Sequence, residues 1–158
     1  MEHHPLADLF PQMSRTDYTA LLDSIRSHGL LEPITLLDGK ILDGTNRDRA
    51  CEELRITPRT VDFTGPDPLA FVLAKNLTRR HLDESQRAMV AGKIANMGVG
   101  GDGSNQHKSN SANLQTDSVS QSSAAKLLHV GTRTVSDAKT VLTLGTADLI
   151  RAVGITTW

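Results

Sequence analysis

The spacing of apolar residues changes several times along the first hundred residues. Within residues 14–28 apolar side chains recur at the period of a helix, and Gly29 is a suitable end for it. After Pro33 the pattern shortens to two apolar runs around Asp38-Gly39, a dipeptide that favours the two-residue turn of a β-hairpin. The chain is therefore predicted to open with a helix followed by a hairpin.

Short helices and strands continue to alternate as far as residue 98. An apolar stripe predicts a second helix that begins at Asn46 or Arg47, and a further short strand follows it. Two more helices are predicted to begin after Asp67 and Asp83, because aspartate is a favoured N-cap residue. This alternation predicts an α/β (α+β) domain over residues 1–98.

The alternation stops at residues 98–120, where Gly, Ser and Asn dominate and little can be buried. Such a composition predicts a linker or mobile loop over residues 99–119. The segment 120–158 is helical again, and His129-Val130-Gly131 separates two short helical patterns. Two short helices joined by a turn of this length are typical of an all-α helix-turn-helix segment.

The predicted helix-turn-helix combines a small apolar core with a polar outer face. Gly131 is expected to supply the turn, because His129 stands where such motifs usually have glycine, and Thr132 is expected to cap the second helix. The predicted core residues are Leu128, Val130, Val135 and Ala138. The predicted DNA contacts are Thr132, Arg133, Thr134, Ser136 and Lys139. A plain helical hairpin without a DNA partner is the alternative.

Composition narrows the functional class only slightly. The chain has 158 residues, a formal net charge of −1 and 3% aromatic residues, so charge alone neither supports nor excludes a nucleic-acid partner. Cys51 is the single cysteine, which excludes an internal disulfide and fits a reducing compartment. Neither a signal-peptide pattern nor an apolar run of membrane-spanning length is present, so we expect a cytoplasmic protein with no membrane partner.

The stretch ILDGTNRDRACEEL carries the first candidate binding site. A strand, an Asp-Gly turn and a helix start follow each other closely, so the free N–H groups of the helix point into the turn. Gly44 permits close approach of a ligand, and Asn46 and Arg47 offer donors for a phosphate. Arg49 suits an ion pair equally well. A simple turn before a surface helix is the alternative.

A second basic patch follows in the stretch KNLTRRHLDESQR. Its cationic residues surround the junction of two predicted helices, which suits a phosphate or triphosphate. A solvated helical face is the alternative. The basic residues of the patch are Lys75, Arg79, Arg80, His81 and Arg87.

The order GLLEPITLLDGKILDGTNRDRA, KNLTRRHLDESQRAMVA and helix-turn-helix resembles the ParB family of chromosome and plasmid partition proteins. The resemblance implies a ParB/sulfiredoxin-like fold for the first domain. It also implies a pocket for CTP or another nucleotide, with or without Mg²⁺, that modulates DNA binding. The implied partners are DNA, a second copy of the chain in a homodimer, and a partition ATPase.

By this resemblance two short sequence motifs, residues 44–50 and residues 75–79, hold the nucleotide phosphates. Three positions depart from the family pattern: Thr45 replaces Glu, Asn46 replaces Arg, and Lys75 stands where the family has an acidic residue near the metal. A lysine cannot ligate Mg²⁺ as a carboxylate does. The implied nucleotide-binding residues are Gly44, Thr45, Asn46, Arg47, Asn76, Arg79 and Arg80.

Two other functional classes remain open. The first is an enzyme on the same fold, namely an NTPase, a small-molecule kinase or a nuclease, whose candidate carboxylates Glu32, Asp43 and Asp62 suit turns or the surface better. Sulfiredoxin chemistry is rejected, because Thr45 occupies the place of the reactive cysteine, whereas Cys51 lies on the apolar side of a helix. The second is a helix-turn-helix transcriptional regulator that needs no nucleotide. The histidines lack the spacing of a metal site.

The sequence continues only briefly past the helix-turn-helix. ParB proteins usually have further helices and a dimerisation domain beyond this point. We therefore expect either a truncated or domain-only relative, or a dimer formed through the segments present here.

Overall fold

The computed structural model describes residues 1–77, 82–97 and 119–152. These residues form a mostly helical α+β structure with a small three-stranded sheet, as the sequence predicts in outline. They divide into two compact units, residues 1–77 and residues 82–97 with 119–152. Most of the predicted linker, together with Arg79, Arg80 and His81, lies outside the described residues.

The sheet of the first unit is built on the predicted hairpin. Strands β1 (Ile34–Leu37) and β2 (Lys40–Asp43) pair antiparallel, and Asp38 and Gly39 between them have φ values of 51° and 75°. Two positive φ values are the requirement of a type I′ turn, which explains the Asp-Gly sequence. Strand β3 (Thr60–Asp62) pairs parallel to β1, giving the order β2-β1-β3.

Four helical segments accompany this sheet: a 3₁₀ helix (Pro5–Asp8), α1 (Arg15–His28), α2 (Thr45–Leu54) and α3 (Pro68–Leu77). Helix α1 begins as predicted, since the Ser14 side chain accepts from the Asp17 N–H. Ile25 packs with Ala50 and Cys51 of α2 in an apolar cluster. This packing fixes the orientation of α2 and thereby of its N-terminus.

Helix α2 begins earlier than the sequence predicts. Its first residue is Thr45 rather than Asn46 or Arg47, because Gly44 with φ 111° is already the N-cap. The helix therefore starts directly after the strand, and its first N–H groups lie beside the end of β2.

The second unit contains four helices: α4 (Glu84–Asn96), α5 (Gln121–Leu127), α6 (Thr132–Leu144) and α7 (Ala147–Ala152). Asp83, the predicted N-cap of α4, forms a capping box with Gln86. Helix α4 contacts α5 and α6, so it belongs to the second unit and not to the first domain, where the sequence boundary at residue 98 had put it. Gly92 makes the crossing with α6 possible, because a Cβ there would lie 3.2 Å from the Leu142 side chain.

No helix within the described ranges is long and apolar enough to cross a membrane.

Candidate anion site and helix-turn-helix surface

The N-terminus of α2 has no side-chain cap. Gly44 is the N-cap, and the first intrahelical bond runs from the Asp48 N–H to the Gly44 carbonyl oxygen at 2.9 Å. The N–H groups of the first helical residues have no partner within the helix, and the helix dipole adds a positive field there. An anion is the natural ligand for such a helix start.

A small cavity of about 70 Å³ adjoins this helix start. Five of the predicted nucleotide-binding residues line it together: Gly44, Thr45, Asn46, Arg47 and Asn76. Small-molecule pockets usually enclose about 300–1,000 Å³, so this cavity has room for a group of phosphate size and not for a nucleoside. The remaining lining residues are Ala7, Met13, Leu21, Leu42 and Asp43.

Arg47 is the charged centre of the site, and its guanidinium is already paired. Its side chain is only 9% exposed, Nη2 donates to Asp43 Oδ2 at 2.9 Å, and Nη1 donates to Glu32 Oε2 at 2.6 Å. A second bond from Nη2 reaches the Pro33 carbonyl oxygen at 3.3 Å. The sequence predicts that Arg47 donates to a phosphate; in the structure its buried guanidinium donates to two carboxylates of the chain itself.

One donor of this guanidinium stays unused. Among the described residues, Arg47 Nε is buried and has no hydrogen-bond acceptor. The gap beside it depends on Gly44, since a Cβ at that position would lie 3.2 Å from Nε and 3.1 Å from Nη2. Gly44 therefore provides both the positive φ and the space for the guanidinium. Arg47 and the first residues of α2 line the same cavity.

Asn76 and Lys75 approach this cluster from α3. Asn76 is buried and lines the cavity, while its Nδ2 donates to the Val72 carbonyl oxygen one turn earlier. Lys75 Nζ lies 2.5 Å from Glu32 Oε1 and 5.9 Å from the Phe71 ring centre. Lys75 thus pairs with a carboxylate of its own chain.

Of the two carboxylates that pair with Arg47, Asp43 is the one that the sequence placed wrongly: it is 6% exposed at the end of β2 and not a surface residue. Glu32 is exposed in a loop, as expected, and bridges two cations there. The i, i+4 spacing of Asp43 and Arg47 across a helix start was the one available signal. Asp62, the third candidate carboxylate, is exposed on the short strand β3.

Other side chains of α2 have structural roles. The Arg49 guanidinium carbon lies 4.6 Å from the centre of the Tyr18 ring, at the distance of a cation–π contact between α1 and α2. Cys51 is fully buried, and burial raises the pKa of its thiol, so it is the core residue that the sequence predicted.

The described residues contain no group of three or more His, Cys, Asp or Glu side chains that could hold a metal ion. The carboxylates of Glu32 and Asp43 are already paired with Arg47 or Lys75. These residues therefore do not fit a Mg²⁺ ion held by the protein alone.

The turn between α5 and α6 follows the Schellman pattern of helix termination. The Val130 N–H donates to the Ala125 carbonyl oxygen at 3.0 Å, and the His129 N–H donates to the Lys126 carbonyl oxygen at 3.3 Å. His129 itself has the left-handed φ of 53°, so the prediction that Gly131 supplies the turn is wrong. The turn requires a single left-handed residue, and a residue other than glycine can occupy one such position.

Helix α6 starts at Thr132, with Gly131 and not Thr132 as its N-cap. Ala125, Leu128 and Val135 are buried beneath the turn, whereas Val130 is half-buried. The predicted DNA-contact residues all lie on α6. Thr132, Arg133 and Ser136 are exposed, and Thr134 and Lys139 are half-buried.

Comparison with family models and with curated proteins finds no match for this chain.

Proposed function

We propose that this protein binds DNA through α6 as a ParB-like maintenance protein of a plasmid, phage or chromosome. The observation that carries the proposal is the α5–turn–α6 unit, which has a buried core and an exposed first turn. In helix-turn-helix proteins this turn of the second helix enters the major groove. Arg133 has no ion-pair partner among the described residues, which leaves its guanidinium available for a base or phosphate.

The proposal has a second part, a nucleotide whose phosphate group binds at the start of α2. Arg47, Asn76 and the uncapped N-terminus of α2 border one cavity of phosphate size. The base and sugar would lie outside this cavity, so its geometry favours a phosphate without selecting cytosine. The ParB/sulfiredoxin-like fold, the homodimer and the partition ATPase belong to the same proposal through the family resemblance.

The DNA part is tested with a fluorescent random-sequence duplex and the variant Arg133→Met. Methionine retains much of the apolar stem and removes the charge. We expect weaker binding and a slope of log K against log salt that is smaller by about 1, since one phosphate contact is lost. Arg26→Met removes an exposed arginine from α1 and is the matched control. Unchanged affinity and unchanged slope in Arg133→Met would reject α6 as the DNA-binding helix.

The nucleotide part is tested by thermal shift with CTP, ATP, GTP and UTP, each with and without Mg²⁺. A ligand at 100 times its Kd stabilises the native state by about 2.7 kcal/mol, which raises Tm measurably. Asn46→Asp places a carboxylate at the cavity, and we expect it to abolish the shift. An acidic residue in the first helical turn favours the helix, so a lost shift would not reflect unfolding.

Asn96→Asp introduces the same charge at an exposed position of α4 and is the matched control. Absence of any shift across the panel would overturn the nucleotide part and favour a regulator that needs no nucleotide. Release of phosphate or a nucleoside diphosphate during the same incubations would favour the enzyme instead.

A further inference from the structure

Glu32 bridges the two cations beside the cavity in the way that an oxyanion would. Its Oε2 accepts from Arg47 Nη1 at 2.6 Å, and its Oε1 lies 2.5 Å from Lys75 Nζ. Arg47 lines the cavity, and Lys75 immediately precedes Asn76, which also lines it. The carboxylate thus occupies one donor of Arg47, which lines the cavity, and the ammonium of Lys75, which lies next to a lining residue in sequence.

The charge cluster formed by Glu32, Asp43, Arg47 and Lys75 carries two positive and two negative formal charges. A phosphate that enters the cavity meets a cluster without net positive charge. Affinity for the phosphate therefore depends on whether one of the two carboxylates withdraws from its cations.

The two carboxylates differ in their freedom to withdraw. The side chain of Asp43 is 6% exposed and belongs to the end of a paired strand, whereas that of Glu32 is 46% exposed in the loop before β1. Arg59 Nη2 holds the backbone of this loop through the carbonyl oxygens of Leu30 and Leu31, at 2.9 and 2.8 Å. The Glu32 carboxylate therefore lies nearer to solvent than that of Asp43, in a loop whose backbone is held in place.

We propose that Glu32 is an intramolecular competitor of the phosphate ligand. By neutralising Arg47 and Lys75, Glu32 weakens the binding of phosphate. This inference rests on the proposed anion site and adds its regulation: the ligand displaces Glu32, whereas Asp43 continues to hold Arg47. Removal of the Glu32 charge leaves the cluster with one net positive charge and strengthens phosphate binding.

The test compares wild type with Glu32→Gln by calorimetric titration with inorganic phosphate and with CTP. We expect Glu32→Gln to lower both Kd values about tenfold, which corresponds to about 1.4 kcal/mol. Glu2→Gln is the matched control, because Glu2 is an exposed glutamate that pairs with Lys40 at 2.8 Å in the same unit. Its Kd values should stay within about twofold of wild type.

A second measurement needs no variant and follows the Arg47 side chain of wild type by ¹⁵N NMR. Phosphate should shift the Nη1 resonance, whose acceptor Glu32 is lost, more than the Nη2 resonance, whose acceptor Asp43 is kept. Both experiments start from the folded full chain, and circular dichroism confirms the fold of each variant.

The outcomes separate the competitor role from the proposed function. If wild type binds a nucleotide and Glu32→Gln binds it equally or more weakly, the competitor role is wrong and the nucleotide site stands. If phosphate binds but does not shift the Arg47 Nη1 resonance more than the Nη2 resonance, the competitor role is likewise wrong and the site stands. If neither wild type nor Glu32→Gln binds phosphate or any nucleotide of the panel, both proposals are wrong.

Discussion

Helices α2 and α6 begin in the same way and present their first-turn arginines in opposite ways. Each starts after a glycine N-cap without a side-chain cap, and each has an arginine within its first three residues. Arg47 of α2 is buried and bonded to two carboxylates, whereas Arg133 of α6 is exposed. The sequences TNRDR and TRTVS do not differ in any way that forces this outcome.

The neighbouring backbone makes the difference. Gly44 has φ 111° and turns the chain directly from β2 into α2, which brings Arg47 back against Asp43. Gly131 has φ −70°, an ordinary extended conformation, and α6 leaves the turn with its first residues exposed. A buried charge pair holds a local geometry together, whereas an exposed arginine is free for a partner.

The strongest test of this contrast removes each arginine in turn. Arg47→Met leaves Asp43 buried without its principal partner, and loss of one member of a buried pair costs about 3–5 kcal/mol. Arg133→Met should change the free energy of unfolding by less than about 0.5 kcal/mol, as is usual for an exposed site. Urea unfolding followed by circular dichroism measures both values. Equal effects would show that Arg47 is not held as the structure describes.

The Arg47 result also decides how the anion site can be studied. A variant that loses nucleotide binding at Arg47 would report on folding as much as on binding, because the side chain holds Asp43 and Glu32 in place. Substitutions at Asn46 and Glu32 are cleaner, since both side chains are more exposed than that of Arg47.

The next test concerns the glycines that precede the two helices. Gly44→Ala combines a positive φ with a Cβ 3.1 Å from Arg47 Nη2, and we expect a loss of about 2–3 kcal/mol in the free energy of unfolding. Gly39 also has a positive φ, but a Cβ there would meet no neighbouring atom. Gly39→Ala therefore measures the conformational cost alone, about 1–2 kcal/mol in the free energy of unfolding. Gly131→Ala should cost less, about 0.5–1 kcal/mol: its φ suits any residue, but a Cβ would lie 3.2 Å from the Thr134 hydroxyl oxygen and alanine is a poorer N-cap than glycine.

The difference between Gly44→Ala and Gly39→Ala measures the contact with the guanidinium. If the two losses in unfolding free energy are equal, then Gly44 is needed for its φ alone and the close packing on Arg47 contributes nothing measurable.

Much of the fold follows from local sequence signals. Ser14, Asp38-Gly39 and Asp83 each mark an element boundary through a side chain or a turn preference, and the structure has a boundary at each. The start of α2 was placed late because a glycine N-cap leaves no side-chain signature. His129 was missed as the left-handed residue because glycine nearby is the commoner choice.

The candidate site was only half predictable. Gly44, Asn46 and Arg47 were found from the strand–turn–helix pattern, since that pattern fixes where the helix N–H groups point, whereas Asn76 followed only from the family resemblance. The pairing of Arg47 and Lys75 with Glu32 joins residues 15 and 43 positions apart, and only the tertiary structure brings them together. The helix-turn-helix was easier to predict because its contacts are local.

The smallest predicted effect concerns a third helix start, which does have a side-chain cap. The 3₁₀ helix Pro5–Asp8 is capped by His4, whose Nδ1 accepts from the Leu6 N–H at 3.2 Å. Burial lowers the pKa of His4 below its ordinary value of 6.5. Protonation of Nδ1 would also remove the acceptor, so the cap requires the neutral ring.

The sign of the pH effect follows from this lowered pKa. In the unfolded chain His4 takes up its proton as the pH falls through 6.5, whereas in the folded chain it does so only at lower pH. Wild type therefore loses stability relative to His4→Asn, which keeps a capping oxygen and does not titrate, as the pH falls from 7.5 to 5.5. Urea midpoints of both proteins at the two pH values measure this difference. A constant difference would show that the His4 pKa is the same in both states and that its cap, like the glycine caps of α2 and α6, is not tied to a proton.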